Sequence, residues 1–327
     1  MNVPHIGRRR ALQSVLAAAA ALALLLWWLL PSRGPSYPKD PVSFSTGVAA
    51  GVYETYGKML RSDLRDQLPG VRVDLLQSQG SVDNVRRVAS GQADFTIAAA
   101  DAVADYRGPG KDRLRACARL YDDYMQLVVP RDSAIGSARD LRGKRVGVGQ
   151  AASGVNLITR RLLAAAGLDP ARDLTAVPVG IDTAPGMLKA GELDAFFWSG
   201  GLPTNTVTNL AASSKVKLVQ LGDLVDTLHS MGASTGYYRQ AVMPADAYPT
   251  MQHGTAVTTI AVANLLVTTD RADTGLVERL TRAVIDSRDE IGNKVHAAQL
   301  VDLRTAVFTD PLPLHEGARR YYRSVKP

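Results

Sequence analysis

From Val42 onward the chain switches repeatedly between short apolar or β-branched runs and amphipathic segments, and few folds accommodate that alternation. Val42–Leu60 reads as a short strand, a turn of small residues (Thr46 to Gly51) and an amphipathic helix. Gly70–Leu76, Phe95–Ala99, Tyr124–Val129, Arg145–Val148, Leu193–Trp198 and Ala256–Thr268 carry strand patterns. Between them, Ser81–Ser90 with Ser81 as N-cap, Asn156–Ala166 closed by Gly167, and Leu276–Ile291 carry helix patterns. The alternation predicts an α/β architecture with mostly parallel strands. The roughly 285 residues beyond the N-terminal segment exceed what one growing core usually holds, so two lobes are expected.

The N-terminal segment bounds the compartment. Arg8-Arg9-Arg10 precede an apolar run from Ala11 to Leu30 broken only by Gln13 and Ser14, followed by a proline-rich linker to Pro38. This is the pattern of a signal peptide or an uncleaved membrane anchor, with the remainder of the chain extracytoplasmic. The formal charge of +7 carries little information about partners. Residues 1–40 hold five of the 38 Lys and Arg and one of the 31 acids, leaving +3 for the rest, which is no nucleic-acid footprint. Cys117 has no partner for an internal disulfide and reads as a small core residue.

Four junctions share one design: an apolar strand, small residues, then a helix start or polar group. They are Thr46–Tyr53, Gln77–Asn84, Gly147–Asn156 and Phe196–Thr204. In open α/β sheets, ligands collect beyond the carboxyl ends of strands, where such junctions lie, and helix starts offer unpaired N–H groups to anions. The third junction also matches G-x-G-x-x-A, but no acidic residue ends a following strand as a dinucleotide site requires. Catalytic patterns are absent: the five histidines are scattered without metal spacing, and no nucleophile elbow occurs. Neither enzymatic activity, a cofactor nor a bound metal is expected.

Together these segments resemble the TAXI family of solute receptors, the binding components of one class of TRAP transporter. The resemblance runs from about Val42 to Tyr322. It rests on Thr46-Gly47 with Gly51-Val52-Tyr53, Gly80–Asn84, Ala89–Phe95, Leu141–Val146, Ala152-Ser153-Gly154, Gly191–Phe197 and Pro313–Ala318. It implies a type II periplasmic-binding-protein fold with two α/β lobes, residues 42–127 with 240–327 and residues 128–239, crossing near Val128–Pro130 and Tyr238–Pro244. It further implies a monomer that binds a small organic acid or amino acid in the cleft between the lobes. The implied ligand shell is Thr46, Gly51, Val52, Tyr53, Ser81 and Asn84 from one lobe and Ala152, Ser153, Gly154, Ser199 and Gly200 from the other. Tyr53 or Tyr248 would cover the rest of the ligand.

The resemblance names a membrane permease as partner. An alternative is a membrane-tethered sensory module that presents its ligand to a sensor kinase. The chain departs from the family pattern at Ala99 and Ala100, where relatives commonly carry Gln-Ser, at Val155 in place of threonine, and at Val48-Ala49-Ala50 in a turn usually richer in glycine. These changes predict a ligand less polar than, or different from, glutamate.

Overall fold

The computed structural model describes residues 13, 17, 19–22, 41–68 and 70–325. Most of the expected signal or anchor segment lies outside the described residues. Among the described residues, no helix is long and apolar enough to cross a membrane.

The body from residue 41 is built on one ten-stranded sheet, with path β2-β1-β3-β10-β4-β7-β5-β6 and β8 and β9 attached to β4 and β10. On one side, β1 (Val42–Ser45), β2 (Val73–Leu76) and β3 (Phe95–Ala99) run parallel. On the other, β5 (Arg145–Gly147), β6 (Thr175–Val177) and β7 (Ala195–Gly200) run parallel. Two long antiparallel strands join these halves: β4 (Leu114–Pro130) and β10 (Val257–Thr269). β4 pairs with β10 up to Tyr124, then with β7 and β8 (Val216–Val219). β10 first pairs with β9 (Arg239–Met243) and then with β3.

This pairing corrects two expectations. β4 is 17 residues long and changes partner at Tyr124, ahead of the expected crossing at Val128–Pro130. The segment Tyr238–Pro244 is no return passage: it contains β9, an edge partner of β10, and β10 itself makes the return. Its sequence VTTIAVANLLVTT suits a strand buried along most of its length.

The helices follow the parallel strands. α1 (Val52–Gln67) follows β1, α2 (Ser81–Ser90) follows β2, α3 (Ala100–Asp105) follows β3 and α4 (Gly154–Ala165) follows β5. Ser81 is the first helical residue rather than the N-cap, which is Gly80 at φ 122°, a backbone conformation that favours glycine. The expected helix Leu276–Ile291 is two helices, α5 (Thr274–Asp286) and α6 (Arg288–Gly292), separated by Ser287. α5 buries Val277, Leu280 and Val284 and packs against α7 (Glu316–Val325). Cys117 is fully buried on β4, as its apolar setting suggested, and burial pushes its thiol pKa up.

Candidate functional site

The ends of β1, β3, β5 and β7 converge on a cavity of about 60 Å³ beside the point where β4 changes partner. Such a volume holds a handful of waters or a solute of a few heavy atoms. Its wall is largely apolar, including Val52, Ile158, Ile181, Phe197, Trp198 and Val262.

Seven of the expected shell residues line this cavity: Gly51, Val52, Tyr53, Ser81, Ser153, Gly154 and Ser199. The junctions at the starts of α2 and α4 meet at its edge. Ala152 N–H donates to Gln79 Oε1 at 3.0 Å, and Asp83 N–H donates to the Ala152 carbonyl at 3.0 Å. A Cβ on Gly154 would lie 3.0 Å from Ser81 Oγ, so glycine permits this close approach. Ser81 Oγ accepts from Ala99 N–H at 3.1 Å and lies 3.0 Å from Tyr53 Oη. Tyr53 O–H in turn donates to Asn264 Oδ1 on β10. Burial, with Asp123 nearby, pushes the Tyr53 phenol pKa up.

Five expected shell residues do not line the cavity. Thr46 is fully buried and donates to Glu54, tying the end of β1 to α1. Asn84 is also fully buried. Its amide donates to the Thr46 and Ile97 carbonyls at 2.7 and 2.9 Å, and its oxygen accepts from Ser45 Oγ at 2.7 Å, so it fastens α2 to β1 and β3. Ala152 commits its backbone to the contacts just described, and Gly200 closes the β7 pairing opposite Tyr124. Tyr248 is buried, and its hydroxyl accepts from Thr204 N–H at 2.7 Å. Tyr248→Phe is therefore expected to lower stability by about 1–3 kcal/mol, because a buried N–H loses its acceptor, while leaving solute affinity unchanged. Thermal melts and calorimetry on the same preparations check both halves of that expectation.

Ser153 lines the cavity, but its hydroxyl is also the N-cap of α4, accepting from Asn156 N–H at 3.0 Å. The sequence reading missed two carboxylates. Asp101, at the start of α3, is 1% exposed and lines the cavity. One of its oxygens accepts from Tyr238 O–H at 2.7 Å and lies 3.6 Å from Arg161, while Oδ1 has no partner. Asp123, on β4 next to its partner change, is 5% exposed and lines the same cavity, and its Oδ1 also has no partner. Burial raises the pKa of both, that of Asp123 to about 7, partly offset by the Asn264 side chain. The signal for Asp123 was present: Asp122-Asp123 interrupts a run of strand formers with no Gly or Pro to make a turn.

Solved structures share this architecture. The periplasmic binding protein BugD matches with a TM-score of 0.56 at 16% identity, covering 88% of this chain and 96% of that one. A Bordetella bronchiseptica protein matches at TM-score 0.51 and 18% identity, covering 88% and 90%. A Listeria monocytogenes protein described as an L-cystine ABC transporter matches at TM-score 0.50 and 15% identity, covering 80% and 98%. The fold is that of type II periplasmic binding proteins, two parallel half-sheets joined by two long strands. The NMT1-like family model matches residues 44–325, and the chain belongs to that family.

Proposed function

We propose that this protein is an extracytoplasmic solute receptor that closes two lobes around a small molecule and presents it to a membrane permease. The observation that carries the reading is the cavity at the strand ends of both half-sheets, beside the two strands that join them. One lobe comprises residues 41–123 and 262–325 and the other residues 124–261, divided where β4 and β10 change partners. Ligand that touches both lobes favours the closed form by its extra contacts there. The structural relatives named for periplasmic binding and for cystine transport support a transport role. The motifs shared with TAXI receptors favour a TRAP-type permease as the partner, and the basic and apolar N-terminal segment favours export or anchoring.

The test is native mass spectrometry of the full chain, followed by calorimetry with whatever solute is released. A single solute bound one to one is expected, with a Kd near the micromolar range, or about −8 kcal/mol. Absence of any retained solute, together with no binding from a panel of amines, amino acids and organic acids, would overturn the reading.

A further inference from the structure

We propose that the cavity takes a solute bearing a protonated amine on a small apolar body, with Asp123 as its counter-ion and Asp101 as a second acceptor. The assignment rests on the receptor reading and names the chemistry of its ligand. Four observations carry it. Both carboxylates are more than nine-tenths buried and line the cavity. Each has an oxygen with no partner at full hydrogen-bond geometry, the neighbouring donors being the Asn264 amide for Asp123 and backbone N–H groups at the start of α3 for Asp101. Among the described residues, no Lys, Arg or His lines the cavity, so no cationic side chain there offers to hold a carboxylate ligand. Much of the rest of the wall, including Val52, Ile158, Phe197 and Trp198, is apolar and suits a hydrocarbon body, while Tyr53, Gln79, Ser81, Gln150, Ser153 and Ser199 supply uncharged polar groups.

The two acids differ in how free they are. Asp101 already accepts from Tyr238 and sits beside Arg161, so part of its charge is answered from within the protein. Asp123 has no such cation. The groups that act on it are Asp101 from α3, Tyr53 from α1, Asn264 from β10, and Asp122 and Tyr121 on its own strand. Asp122 is held by Arg119 at 2.6 Å and by Arg239, which leaves neither arginine as a partner of Asp123. An ammonium group would supply the missing charge and the missing donors together.

The pH dependence follows. With a pKa of about 7, Asp123 is mostly protonated at pH 5.5 and mostly ionised at pH 8. Amine affinity should rise by roughly 30-fold between those pH values, since only the ionised carboxylate pairs with the ammonium. An acid ligand should show no such rise.

The experiment is calorimetry of the full chain against 3-methylbutylamine, leucine and 4-methylpentanoate, each at pH 5.5 and pH 8, repeated with Asp123→Asn. The inference expects 3-methylbutylamine to bind more tightly than leucine or 4-methylpentanoate, its affinity to rise with pH, and Asp123→Asn to weaken that binding about tenfold or more. Circular dichroism establishes that the variant is folded, and the pH series on the unaltered chain tests the same point without it. Tighter binding of leucine or 4-methylpentanoate, or amine binding indifferent to both pH and Asp123→Asn, would overturn the assignment while leaving the receptor reading intact. If none of the three probes binds, the assignment falls. The receptor reading is then judged separately by the solute that co-purifies.

Discussion

Asp123→Asn is expected to stabilise the solute-free protein at pH 8 by up to about 4 kcal/mol and to change it little at pH 4. The folded-state pKa of Asp123 lies at about 7, above its ordinary value of 3.8, because burial disfavours the charged form. The folded state therefore holds the proton more tightly than the unfolded state. Below about pH 4 both states are protonated and the residue carries no ionisation penalty. As pH rises from about 4 to 7 the unfolded chain ionises first, and stability falls by about 1.4 kcal/mol per pH unit of separation. Asparagine resembles the protonated acid and escapes the penalty. Thermal melts of both proteins at pH 4, 6 and 8 read this directly: the curves should meet at the acid end and part as pH rises. A variant less stable than the parent at pH 8 would show that the carboxylate is answered by a group within the protein. A buried acid kept at a cost to stability, facing a cavity, is the pattern expected of a binding residue.

Much of the architecture was legible because it depends on local patterns. β3 is a run of apolar residues broken only by Thr96, FTIAA, and lies where the sequence placed it. The end of α4 followed from Gly167, which takes the left-handed conformation at φ 75°. What the sequence could not show was which partner each strand takes. β4 and β10 each pair with both half-sheets; Asp122-Asp123 interrupts the apolar pattern of β4 just before its partner changes, but neither sequence says which strands the new partners are. The same gap explains the site. Thr46 and Asn84 sit in junctions of the right kind, yet their side chains point into hydrogen bonds that hold the strands together. Asp101 and Asp123 come from elements that carry no glycine-rich signature, and only the fold brings them to the cavity.

Arg161→Ala is expected to destabilise the protein by about 3 kcal/mol at pH 8, and by less as pH falls, because it breaks one side of a buried pair. Arg161 lies on α4, and its side chain is 13% exposed. It donates to Tyr238 Oη at 2.8 Å, lies 3.6 Å from Asp101 and 2.9 Å from Asp105, and stands 5.7 Å from the centre of the Tyr238 ring. The pair with Asp105 involves a side chain that is 45% exposed and contributes less than about 1 kcal/mol. The loss comes from Asp101, which would keep a buried charge answered by the Tyr238 hydroxyl and by backbone N–H groups at the start of α3 but without its arginine, and removing one partner of a buried pair typically costs about 3–5 kcal/mol. Burial already raises the Asp101 pKa, and removing Arg161 raises it further, so at low pH the acid takes a proton and the cost shrinks. Adding Asp101→Asn to Arg161→Ala should therefore restore most of the stability at pH 8. Equal losses in the single and double variants would place the effect in lost packing instead.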